Sequence, residues 1–192
     1  MTTKTTVVRN VRIIDPANGM DAAPGNNAGL IADHGVIKAI GPDALSQGVP
    51  DDAVTIDGQG LVLAPGLVDM RVTVGEPGLA HKETLATASR AAAAGGVTSM
   101  VCLPTTDPVI ADAAGLEFIA RRAREQRGAK FYAYAAATRD LAGQDLTEYG
   151  LLAEAGAVGF TDAGNAIASA SVMRRALSYA HQFDRLIIQH PD

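Results

Sequence analysis

Leu63-Ala64-Pro65-Gly66-Leu67-Val68-Asp69-Met70-Arg71-Val72-Thr73-Val74-Gly75-Glu76-Pro77-Gly78 divides the chain into two parts that follow different patterns. Residues 67–74 alternate apolar with polar and predict a strand. Asp69, Arg71 and Thr73 stand two apart, so they are expected to project from one side of it. Pro65-Gly66 before this run and Gly75-Glu76-Pro77-Gly78 after it mark its ends as turns.

Downstream, strands and helices alternate. Residues 83–94 form an alanine-rich helix stopped by Gly95-Gly96. Residues 97–103 read as a second strand. In 112–127, Leu116, Ile119, Ala120 and Ala123 share one helical face. Arg121, Arg122, Arg124 and Arg127 occupy the other face, which is expected to be solvated. A strand at 131–136, a helix at 147–155 and a strand at 157–160 follow. Val172, Ala176, Tyr179 and Phe183 mark a further helix, and 186–189 a fifth strand. Short loops between such elements predict right-handed crossovers and a parallel sheet. A doubly wound nucleotide fold loses support because no glycine-rich phosphate turn follows the first strand. The expected class is α/β, with the first five strands of a (β/α)8 TIM-type barrel. A complete barrel needs ~250 residues, so the chain reads as a fragment.

Upstream, short apolar runs at 7–14, 29–32, 36–40, 54–56 and 61–63 are separated by turn formers such as Asp15-Pro16-Ala17-Asn18-Gly19 and Asp33-His34-Gly35. They predict part of a small β-sandwich. The expected domains are 1–64, β-rich, and 65–192, the N-terminal portion of the barrel.

The 192 residues are 47% hydrophobic and 19% charged with a net charge of -5, which favours neither nucleic acid nor an anionic membrane. The single cysteine, Cys102, has no internal disulfide partner and reads as a small core residue. Neither a secretory signal nor an apolar run near the ~20 residues of a membrane span is visible, so a cytoplasmic, soluble protein is expected. An unpaired edge on the fifth strand predicts self-association. His34 is expected in an exposed turn, His181 on a helix surface, and His81 in a structural role after the first strand.

Barrel enzymes place reactive groups at the C-terminal ends of their strands. Those positions here are Asp69, Arg71 and Thr73, then 104–108, then Thr161-Asp162, then His190. A hydrolytic zinc site takes three protein ligands from His, Asp, Glu or Cys, and this set offers one histidine. An Asp69–Arg71 ion pair is one expectation; Asp69 orienting a backbone loop is the other.

Residues 63–70 resemble the lead-in of cyclic amidohydrolases. Glu76-Pro77-Gly78, His81-Lys82-Glu83-Thr84, the run 91–98, residues 156–161 and Ser171-Val172-Met173-Arg174 resemble dihydroorotases in particular. That resemblance implies two zinc-binding histidines at the end of the first strand, where this chain has Arg71 and Thr73. It implies a substrate-gripping arginine where Gly75 stands, and a substrate-contacting asparagine where Thr105 stands. It implies a metal-ligating aspartate at Ala163, beside Asp162. His190 alone matches a ligand position. A guanidinium offers no lone pair and repels a dication. Zinc is therefore expected to be lost, leaving no cofactor and no catalytic activity. The resemblance then implies an assembly role in de novo pyrimidine biosynthesis, with aspartate carbamoyltransferase as partner. The alternatives are an active zinc-dependent dihydroorotase with an altered metal site, which hydrolyses dihydroorotate to N-carbamoyl-aspartate, and a small-molecule binding module.

Overall fold

A computed structural model describes residues 5–190, and the chain divides into two units, Met1–Pro65 and Gly66–Asp192.

The first unit holds β1 (Thr6–Arg9), β2 (Arg12–Asp15), β3 (Met20–Ala22), β4 (Gly29–Asp33), β5 (Val36–Gly41), β6 (Val54–Asp57) and β7 (Val62–Leu63). They make two sheets, ordered β5-β4-β1-β6 and β3-β2-β7. The single strand expected over 7–14 is two strands in different sheets. Asn10 takes φ 54° between them, and a left-handed residue breaks extended pairing. The β4–β5 hairpin turns at His34 (φ 49°) and Gly35 (φ 77°), the two positive angles of a type I′ turn.

The second unit runs β8 (Leu67–Val72), α1 (Leu85–Ala94), β9 (Val97–Cys102), α2 (Ala113–Arg124), β10 (Lys130–Ala133), β11 (Ala135–Ala136), α3 (Tyr149–Glu154), β12 (Gly159–Thr161), α4 (Ala170–His181) and β13 (Leu186–Ile188). All pairings among these strands are parallel. Tyr134 separates β10 from β11, yet its N–H donates to Cys102 O at 3.0 Å, and Val158 N donates to Ala133 O at 3.0 Å. The strands therefore follow one another in chain order, as an α/β unit.

Leu85, Leu116, Ile119, Leu152, Val172 and Ala176 from the helices bury one face of these strands. Tyr149 and Phe160 stack in that layer at 3.9 Å between ring centroids. Cys102 is fully buried there, and burial pushes its thiol up to about 12, so it stays a protonated core group. The opposite face carries a smaller cluster of Val101, Leu103, Tyr134 and Ala163, with Ile188 packed against it. Among the described residues, no helix is long and apolar enough to cross a membrane.

Candidate functional site

The end of β8 does not keep the simple alternation expected of it. Asp69 pairs with Met100 and Val72 with Cys102, so three steps on β8 answer two on β9. This is a bulge, and it reverses which side each later residue faces. Met100 and Cys102 lie in the helix-side core, and Asp69, Val72 and Thr73 together line a cavity of about 220 Å³ beside α1. Asp69 Oδ1 accepts from the backbone N–H of Arg71 at 2.9 Å. Among the described residues no side-chain ion pair joins the two; the carboxylate bonds the backbone of the bulge instead. Arg71 and Thr73 are exposed.

Gly75 starts a closed turn. Its N–H donates to Glu83 O at 2.8 Å, and its carbonyl accepts from Leu79 N at 2.6 Å. A Cβ at this position would stand 2.1 Å from Leu79 O and 2.7 Å from Glu83 O. The backbone has closed over the place where the resemblance puts a substrate-gripping arginine.

Beyond Gly75 the loop is well bonded. Glu76 is buried; Oε2 accepts from Leu85 N at 2.9 Å, at the start of α1, and Oε1 accepts from Arg122 at 3.1 Å. Arg122 also pairs with Glu125 at 2.5 Å. Its guanidinium is held protonated chiefly by the hydrogen bond to Glu76. Arg122 does not share the solvated face expected for it and its neighbours; it turns to the loop, where its charge offsets that of the buried Glu76, 46 residues earlier. His81 is exposed and has no hydrogen-bond partner among the described residues, so the structural role expected of it falls to Glu76 and Thr84. Thr84 caps α1: its Oγ accepts from Thr87 N at 3.1 Å, and its own N–H donates to Thr87 Oγ at 3.0 Å.

Residues 104–110 lie next to this loop. Asp107 N donates to Pro77 O at 3.2 Å, and Gly78 approaches Asp107 so closely that a Cβ would meet its carbonyl oxygen at 1.8 Å. Thr105 Oγ is buried without a hydrogen-bond partner, while Thr106 Oγ donates to Pro108 O at 2.8 Å.

At the end of β12, Asp162 is 2% exposed and accepts from Thr138 N at 2.8 Å and from the Thr138 hydroxyl. It anchors the loop after the third strand. Ala163 is buried at φ 57°, with its N–H on Thr161 Oγ at 3.0 Å. His190 lies two residues beyond β13 and is half-buried. Tyr134 escaped the sequence reading. It is 8% exposed, and desolvation raises its phenol pKa. Its place in a run of alternating small and aromatic residues, Tyr132-Ala133-Tyr134-Ala135, was the available signal.

These residues do not fit a zinc ion of the expected kind. Arg71 has no lone pair, Thr73 has a neutral hydroxyl, and Ala163 has a methyl group. Among the described residues, no group of three or more His, Cys, Asp or Glu stands together in a way that could hold a metal.

Residues 60–192 match the family model described as dihydro-orotase-like. The chain belongs to the dihydroorotase-like family. It is 41% identical over 184 residues to a dihydroorotase of Syntrophus aciditrophicus (strain SB), covering 96% of this chain and 42% of that protein. It is 43% identical over 181 residues to a dihydroorotase-like protein of Pseudomonas aeruginosa (strain PAO1), covering 94% of this chain and 41% of that one. The chain thus spans about two fifths of the length of these relatives. In fold it is similar to L-hydantoinase from Arthrobacter aurescens, with a TM-score of 0.78, 22% identity, and coverage of 98% of this chain and 41% of that one. A D-hydantoinase gives a TM-score of 0.68 at 18% identity, covering 95% of this chain and 39% of that one.

These relatives correct one expectation. The chain was expected to lack catalytic activity, but dihydroorotase-like family members at about 40% identity carry the name of an enzyme. The substitutions at 71, 73, 75, 105 and 163 do not by themselves establish inactivity, and this chain spans about two fifths of the length of those relatives.

Proposed function

We propose that this chain belongs to a cytoplasmic dihydroorotase-like protein that serves de novo pyrimidine biosynthesis and assembles with aspartate carbamoyltransferase. Its second unit supplies the first five strands of an eightfold barrel, and residues 71, 73 and 163 hold no zinc in it. The pathway is supported by the family and by the names of relatives near 40% identity. Barrel completion and self-association are supported by the exposed apolar side chains of the outer strands: Leu67, Val68 and Met70 on β8 and Leu186 on β13 are 61–74% exposed and call for covering. The observation that carries the metal assignment is Arg71, a permanent cation at a position where a ligand needs a lone pair.

Hydrolysis of dihydroorotate to N-carbamoyl-aspartate by the whole protein is a second reading, favoured by the relatives named dihydroorotase. Its metal would draw on ligands other than residues 71, 73 and 163, with His190 the candidate within this chain. Two assays on the full-length protein test the assignment: co-purification with aspartate carbamoyltransferase, and zinc content together with dihydroorotate turnover. Failure to associate removes the assembly role. Zinc that depends on residues 71 and 73 removes the metal assignment.

A further inference from the structure

Three of the family's ligand positions carry side chains that cannot bind zinc, but a fourth residue matters at least as much. Tyr134 stands between β10 and β11 on the face away from the helices, in one packed cluster with Val101, Leu103 and Ala163. Its ring lies over strand β12. A Cβ on Gly159 would meet Tyr134 Cδ1 at 3.4 Å and Ile188 Cδ1 at 2.8 Å, so glycine leaves the space that the ring and the isoleucine fill. The result is a closed apolar floor. Tyr134 is 8% exposed, Leu103 6% and Ala163 3%. The backbone at 163 adds to the closure: Ala163 is held at φ 57° by its N–H bond to Thr161 Oγ.

We infer that Tyr134 shuts the inner face of the sheet over position 163, so that the site is closed to a metal ion by packing as well as by ligand loss. A carboxylate introduced at 163 would be buried among Val101, Leu103 and an aromatic ring, where its charge is poorly solvated. Restoring ligands at 71, 73 and 163 is then insufficient until the ring is removed. This inference rests on the metal assignment above and extends it from the ligands to the floor beneath them.

The test uses the full-length protein and zinc alone as probe. The variant Arg71→His/Thr73→His/Ala163→Asp is compared with the same variant carrying Tyr134→Ala, and each zinc dissociation constant is read by competition with a chelating dye. Removing the ring is expected to tighten zinc binding at least about tenfold, the scale on which groups surrounding a metal site act. Equal behaviour of the two variants, whether both bind or neither does, overturns the inference. A metal-free cycle guards against misfolding: Tyr134→Ala and Ala163→Asp are made singly and together, and Tm is measured. The combined loss is expected to fall short of the sum, because the ring's removal lets water reach the new carboxylate. Strict additivity contradicts the inference. The underlying assignment fails separately, through zinc in the unaltered protein that disappears on changing residues 71 and 73.

Discussion

Arg71 and Thr73, at the end of β8, are exposed, and their side chains make no hydrogen bond among the described residues. A few residues later Glu76, Glu83, Thr84 and Thr87 are all bonded through their side chains. The two stretches are continuous in the chain and differ in what holds them. Residues 76–87 organise a helix start and a loop: Glu76 accepts from the buried Leu85 N–H and Thr84 from the Thr87 N–H, both at the start of α1. Residues 71 and 73 satisfy nothing inside the fold. Changes at 71 and 73 are therefore expected to leave stability nearly untouched, whereas changes in the loop beside them are not.

The largest effect that would break this contrast is at Glu76. Glu76→Ala leaves the buried Leu85 N–H without its acceptor and Arg122 with Glu125 alone, and is expected to cost about 2–3 kcal/mol in denaturant unfolding of the full-length protein. A loss below about 0.5 kcal/mol, the scale of an ordinary surface change, would place Glu76 with the unconstrained residues. Gly75 sharpens the boundary between the two stretches. Gly75→Ala forces its Cβ against the carbonyl oxygens of Leu79 and Glu83 and is expected to cost about 1–3 kcal/mol. Thr84→Ala removes the N-cap of α1 and is expected to cost about 1 kcal/mol by the same measurement.

Much of the architecture was legible in local pattern. The Gly95-Gly96 stop and the apolar spacing of Leu116 and Ile119 placed α1, α2 and the parallel strands between them, because amphipathic period and helix punctuation are local properties. What failed was non-local. Asn10 splits an apparently continuous strand through its own backbone angle. The bulge between Asp69 and Val72 is set by pairing with β9, and no alternation rule within β8 reveals it. The Glu76–Arg122 pair joins residues 46 apart, and Tyr134 gains its meaning only from Gly159 and Ile188 across two strands. At the site, Arg71 and Thr73 could be read as poor ligands from their chemistry alone. Activity could not, since the chain spans only about two fifths of the length of the relatives named as enzymes.

The most direct test compares zinc in the full-length protein with zinc in its Arg71→Ala/Thr73→Ala variant, by elemental analysis of the purified proteins. Identical stoichiometry, whatever its value, is the predicted result, because neither side chain holds a metal. Loss of a zinc ion from the variant would contradict it and return the end of β8 to the metal centre.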